Sequence, residues 1–276
     1  MRIDSHHHFW DYSSEQYAWI SDEMSVLQRD FTPAELSQET QALGIDGVVT
    51  VQARQTLAET HWLIELAHEN TFIRGVVGWI PLADAKVEAV LETLRHAPQL
   101  KGVRHVVQDE PDDNFILGED FNRGVSLLHR YDLVYDILIF AKHLRPSIKF
   151  VDQHPEQPFV LDHIAKPTIM ANTFAKQWEV DIRDLAKRDN VSCKFSGVVT
   201  EVRDENWTID TLRPYWDVAL DAFGAKRLMF GSDWPVCLLR SSYHRWHATV
   251  QELAAELSSD EQAAVMGGNA IRVYQL

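Results

Sequence analysis

The sequence predicts a single-domain α/β protein, residues 1–276, folded as a (β/α)8 TIM-barrel, and three observations lead there. A short apolar, β-rich run followed by a helical stretch recurs along the chain at intervals of roughly 25 to 40 residues. Eight such runs can be counted, at 2–8, 47–52, 74–80, 101–106, 133–138, 158–163, 191–196 and 227–232. Most are continuous Val, Ile, Leu and Phe, as expected of parallel strands covered on both faces. Several end in ionisable residues, and in a parallel barrel those C-terminal ends form the rim that carries chemistry.

In chain order, the first run ends in Asp4-Ser5-His6-His7-His8. Side chains alternate along a strand, so His6 and His8 share one face. The segment 9–31, with Trp10, Tyr12, Tyr17 and Trp19, is too long for a simple connection and is expected at the catalytic rim. Thr32-Pro33-Ala34-Glu35 reads as a capping box with proline at the first helical position, and Gly44 as the stop. Val87, Val90, Leu91 and Leu94 line one helical face; so do Ile182, Leu185 and Ala186, and then Trp216, Ala219, Leu220 and Phe223 before Gly224. The proline-containing segment 142–157 is expected to be a second irregular rim loop. Ser258-Ser259-Asp260-Glu261 offers another capping box, for a helix ending near Gly267-Gly268-Asn269, after which 270–276 docks on the barrel.

Composition narrows the function classes. With 45% hydrophobic and 24% charged residues the chain is an ordinary globular protein with a sizeable core. A formal net charge of -15 argues against nucleic acid and anionic membrane as partners, because neither offers that charge a counter-field. No apolar run is long enough to span a bilayer, and Met1-Arg2-Ile3-Asp4 lacks the apolar stretch of a secretory signal. Cys193 and Cys237 sit in apolar surroundings, so a disulfide framework or cysteine zinc site is not expected and a reducing cytoplasm fits. A small-molecule substrate is the expected partner, with the oligomeric state left open.

Chemistry gathers at the strand ends. An H-x-H pair is a natural metal chelate, and His6 and His8 end the first strand. The last run stops at Gly231-Ser232-Asp233-Trp234-Pro235, beside the first strand once a barrel closes, so Asp233 can serve as metal ligand or as general base toward water. Phe159-Val160-Leu161-Asp162-His163 adds a third histidine at the sixth strand's end. The fourth run ends in Arg104-His105, of which alternation allows only one to face inward. Lys194 and Ser196 share a face of the seventh strand, and Asp136 is expected to end the fifth.

Taken together, Asp4-x-His6-x-His8, Leu161-Asp162-His163-Ile164-Ala165-Lys166-Pro167, Gly231-Ser232-Asp233-Trp234-Pro235 and Gly268-Asn269-Ala270-Ile271-Arg272 resemble the amidohydrolase superfamily, in its amidohydrolase-2 branch. The start His8-Phe9-Trp10-Asp11, the strand Lys101-Gly102-Val103-Arg104-His105 and Lys194-Phe195-Ser196-Gly197 most resemble sugar lactonases of the L-fuconolactonase and L-rhamnonolactonase type. The resemblance implies a barrel that hydrolyses a sugar-acid lactone to the aldonic acid. It departs from the binuclear members, which use a bridging lysine on the fourth strand and a histidine on the fifth. What remains is one Zn2+ or other divalent metal on His6, His8, Asp233 and His163, or a metal-free site.

Lactone hydrolysis needs an activated water, a polarised carbonyl and a proton for the departing ring oxygen. The expected catalytic groups are Asp233 as base, His163, and His105 or Arg104 at the oxyanion or leaving alkoxide. Arg104, Asp136, Lys194, Ser196 and Trp10 are expected to bind substrate. Competing readings are a metal-dependent decarboxylase or muconolactone-type hydrolase on the same barrel, and a non-catalytic sugar-acid binding protein.

Overall fold

The apolar runs do become parallel strands. The structure is a computed structural model that describes residues 1–276, and its strands β1 (Ile3–His7), β2 (Gly47–Val51), β3 (Ile73–Gly78), β4 (Leu100–Val106), β5 (Val134–Leu138), β6 (Phe159–Leu161), β7 (Val191–Phe195) and β8 (Leu228–Phe230) lie side by side in chain order. Each neighbouring pair from β1 to β8 is parallel. Alternation sends Tyr135, Phe159, Cys193 and Phe230 into the layer between strands and helices, where they join the main apolar core.

The seam between β8 and β1 is stitched largely by polar groups. Asp233 N donates to His6 O at 2.8 Å and His8 N to Trp234 O at 2.7 Å. Ser5 Oγ donates to Phe230 O at 2.6 Å, and the Asp4 carboxylate accepts from Ser232 N at 2.8 Å and from the Tyr243 hydroxyl at 2.9 Å. The register of β1 shifts between Asp4 and His7. That irregularity lets Ile3 join the lower barrel core while His6 points into the barrel above it, as bulges do when they re-aim a side chain. Closing the seam therefore sets Asp233 beside the histidines of β1.

The helices α1 (Pro33–Leu43), α2 (Leu57–Glu69), α3 (Val87–Leu94), α4 (Glu119–Val125), α5 (Leu144–Gln153), α6 (Lys176–Leu185), α7 (Ile209–Phe223) and α8 (Tyr243–Leu253) wrap the strands, followed by α9 (Ser259–Ala263) and α10 (Asn269–Tyr274). No helix is long and apolar enough to cross a membrane. Gly44 ends α1 in the left-handed conformation at φ 66°, as the sequence predicts, and the Ser258–Glu261 capping box forms.

Three expectations are corrected. Thr32 makes no side-chain cap; Glu35 instead accepts both Arg29 guanidinium branches, at 2.8 and 2.6 Å, and is drawn off the helix end. Most of 142–157 is the helix α5, because Pro146 falls in its first turn, where the missing N–H costs nothing. The helix opened at Ser258 does break at Gly267, which leaves helical backbone at the end of a π turn over Ala264–Gly268, but the closing segment is itself a helix, α10, which closes the lower end of the barrel.

Inside the barrel, Ile3, Val49, Val51, Val77, Val134, Val160 and Met229 form an apolar floor, sealed from below by Ala270 and Tyr274 of α10. Above the floor the interior turns polar. The loop 9–31 crosses the rim, pinned where Trp10 and Phe31 pair through their backbones, at 3.2 and 2.9 Å.

Candidate active site

Four side chains from three strand ends converge above the polar layer. His8 Nε2 lies 3.4 Å from Asp233 Oδ1, His6 Nε2 3.7 Å and His163 Nε2 4.0 Å, and the two β1 histidines approach within 3.3 Å. The hydrogen bonds behind two of them fix their tautomers. His8 Nδ1 is 2.8 Å from Val51 O, and His163 Nδ1 is 3.0 Å from Ser196 O and 2.9 Å from Ser196 Oγ. A carbonyl only accepts, so each proton is on Nδ1 and each Nε2 lone pair faces Asp233. Lone pairs and a carboxylate aimed at one point suit a cation or a polarised water, and the sets His6, His8, Asp233 and His6, Asp162, His163 both have metal-ligand spacing.

Electrostatics keep the group ready to accept protons. Burial pushes the Asp233 carboxyl up, but attraction to the His163 and His8 imidazoles when they carry a second proton, and to the Lys166 ammonium, holds it below the ordinary carboxylate range. Burial lowers His163 to about 4 despite the pull of Asp233, and it lowers His6 well below the usual imidazole value.

The backbone is strained here. His163, Ile164, Ala165 and Lys166 all take positive φ, at 52°, 48°, 61° and 48°, and Asp233 does so at 56°. A left-handed run of L-residues costs about 1–2 kcal/mol per residue, and such strain concentrates where function over-determines geometry. Trp178 Nε1 helps hold the turn by donating to Ile164 O at 2.7 Å. Gly197, itself at φ 63°, makes room for the cluster: a Cβ there would stand 2.5 Å from Asp233 Oδ2 and 2.7 Å from His163 Nδ1. Gly197→Ala should thus displace both side chains and cost about a hundredfold in rate; activity within about threefold of the parent would show that their placement tolerates movement.

Below this cluster lies a layer of buried charge. The Arg104 guanidinium faces inward, donating to Gln52 Oε1 at 2.9 and 2.6 Å, to Gln52 O at 2.5 Å and to Asp162 Oδ2 at 2.9 Å, with Nη1 3.3 Å from His6 Nε2. Lys194 Nζ sits 2.5 Å from Asp136 Oδ2, 3.0 Å from Asp162 Oδ1 and 3.2 Å from His6 Nδ1. Burial pushes the Asp136 carboxyl up to about 6 even beside Lys194. Burial also works to raise Asp162, yet Lys194, His6 and Arg104 hold it well below the ordinary range.

Placement separates the sequence-predicted residues into groups. His6, His8, His163 and Asp233 meet, and Ser196 holds His163 by its hydroxyl. His105 does not join them: it points out of the barrel, bonded to Glu110 at 2.7 Å and to Trp79 at 3.2 Å and stacked on Phe115. Arg104 and Lys194 spend their donors inside the protein, and Asp136 is mid-strand, two residues below the end of β5, so these three underlie the site and do not line its mouth. Trp10 is fully buried, its indole N–H donating to Arg29 O at 2.9 Å, which makes it the anchor of the rim loop.

Sequence reasoning missed Asp162, Gln52, Lys166 and Tyr274. Asp162 was accessible, since it alternates with Val160 onto the interior face. Lys166 has no hydrogen bond or ion pair for its ammonium, which lies 5.7 Å from the Phe140 ring, and burial lowers its pKa against the charges of Glu201 and Asp233. Only the left-handed turn brings it there.

Comparison with known proteins agrees with this architecture. The family model described as amidohydrolase matches residues 3–276. An L-fucono-1,5-lactonase of Burkholderia multivorans is 41% identical, aligned over 100% of this chain and 96% of its own. An L-fucono-1,5-lactonase of Burkholderia ambifaria is 34% identical over 100% of this chain and 96% of its own. A crystal structure of a Burkholderia multivorans amidohydrolase with bound zinc superposes with a TM-score of 0.96 at 40% identity, covering 100% of this chain and 99% of that one. Matched from end to end, the chain belongs to the amidohydrolase family.

Proposed function

We propose that this protein hydrolyses a sugar-acid lactone of the L-fucono-, L-galactono- or L-rhamnono-lactone type to the open aldonic acid. The observation that carries the reading is the meeting of the Asp233 carboxylate with the Nε2 lone pairs of His8 and His163. The two curated L-fucono-1,5-lactonases similar over their full length support the substrate class.

Asp233 takes a proton from water as the oxygen attacks the lactone carbonyl, and His8 and His163 orient that water. The carbonyl oxygen gains charge, and Lys166, the partnerless ammonium beside the cluster, receives it. When the acyl–oxygen bond breaks, the protonated Asp233 returns its proton to the ring oxygen, now the hydroxyl of the open acid. A divalent cation such as the zinc of the Burkholderia multivorans structure fits His6, His8 and Asp233, with His163 Nε2 4.0 Å from the same carboxylate oxygen, and when bound it would supply Lewis acidity toward the carbonyl. The two free, buried cysteines support placing the protein in the cytoplasm.

The test is proton release from aldonolactones and muconolactones, and carbon dioxide release from aromatic acids, each followed with and without chelator. Hydrolysis confined to deoxysugar and related aldonolactones is expected, with Lys166→Met about a hundredfold slower. Inertness toward every aldonolactone would overturn the reading, and a Lys166→Met enzyme as fast as the parent would remove the lysine from it.

A further inference from the structure

We propose that Tyr274, in the last helix, is a positioning residue for the reaction: through Asp136 it holds Lys194 against His6 from beneath the site. The inference rests on the functional reading above and extends it from the rim to the closed end of the barrel.

The chain of contacts is continuous and dry. The Tyr274 hydroxyl is 2.8 Å from both Asp136 oxygens, Asp136 Oδ2 is 2.5 Å from Lys194 Nζ, and Lys194 Nζ is 3.2 Å from His6 Nδ1. Asp136, Lys194 and His6 are fully buried and Tyr274 nearly so, so water cannot substitute for a missing link. The Tyr274 ring belongs to the apolar floor and lies under Lys194, 5.3 Å from Nζ to ring centroid. Its hydroxyl is thereby aimed upward at Asp136.

What this hold controls is His6. Of the three histidines at the site, His8 and His163 have a backbone carbonyl on Nδ1, and His6 has none. It stands between two donors, Lys194 at Nδ1 and Arg104 Nη1 at 3.3 Å from Nε2. A neutral imidazole has one lone pair and can accept from only one of them. Asp162 Oδ1 also lies 3.2 Å from Nδ1 and 3.0 Å from Lys194 Nζ, so Nδ1 meets an acceptor beside the donor, and Asp162 alone does not decide the contest. The grip on Lys194 does, and with it the orientation of the ring edge presented to Asp233. Partners behind a functional histidine set its tautomer and pose in this way, and losing one typically costs about 10–100-fold.

Tyr274→Phe removes one hydroxyl and keeps the packed ring. The experiment measures kcat, KM and melting temperature for the parent, Tyr274→Phe, Asp136→Asn and the double variant, together with the imidazole nitrogen NMR shifts of His6. Tyr274→Phe is expected to lose about tenfold in kcat with KM nearly unchanged, to move the His6 shifts, and to add little further loss in the Asp136→Asn background, because the tyrosine acts through the aspartate. Unchanged kcat and His6 shifts, whatever happens to the melting temperature, would overturn the proposal, and so would independent, multiplying losses in the double variant. Asp233→Asn run in parallel separates the two ideas: if it is inactive while Tyr274→Phe matches the parent, only the positioning role fails. Should Tyr274→Phe fold poorly, the His6 shifts of Asp136→Asn decide, since an unmoved ring there breaks the chain at its middle link.

Discussion

Asp233→Asn should cut turnover by about a thousandfold or more while lactone affinity and melting temperature stay close to the parent's. Asparagine keeps the shape that fits beside His8 and His163 and loses the charge that accepts water's proton. The site's electrostatics add a second expectation. The base must be ionised and His163 neutral, and Asp233 lies below its usual range with His163 near 4. Protonation of these two groups should therefore cost no rate from about pH 8 down to about pH 5 and should lower it only below that. An Asp233→Asn enzyme retaining more than a few per cent of activity would take the base role away from this carboxylate.

Lys194→Met should be the most damaging change to stability, costing about 3–5 kcal/mol. Lys194 neutralises two fully buried carboxylates, Asp136 at 2.5 Å and Asp162 at 3.0 Å. Asp162 keeps Arg104 at 2.9 Å, but Asp136 would retain only the Tyr274 hydroxyl. A buried charge without a counter-charge is far more costly than the pair was favourable, because neither water nor another cation can reach it. Adding Asp136→Asn to Lys194→Met should recover part of the loss in a urea titration. If Lys194→Met alone unfolds within about 1 kcal/mol of the parent, the ammonium is not the charge that holds this layer together.

Much of the barrel and part of the site were legible in local patterns. Eight apolar runs marked eight strands, and alternation within Asp4-Ser5-His6-His7-His8 put His6 and His8 on one face before any partner strand was known. Asp233 was legible because it ends the last strand of a barrel that must close on the first. The phase of a strand was less accessible. Alternation said that one of Arg104 and His105 faces inward, but a one-residue change of phase exchanges them, and only pairing with β5, where Arg104 aligns with Asp136, decides it. Prolines misled at 142–157, since Pro146 breaks a helix interior but suits a first turn.

The sequence by itself determined the repeat of strand and helix, the chelating spacing of His6 and His8, and the carboxylate at the end of β8, all of which are properties of neighbours along the chain. Only the tertiary structure decided which charges meet. Tyr274 reaches Asp136 across 138 positions and Lys194 reaches His6 across 188, and no periodicity records such pairs. Their partnership arises because a closed barrel leaves buried ions nothing to bind except one another.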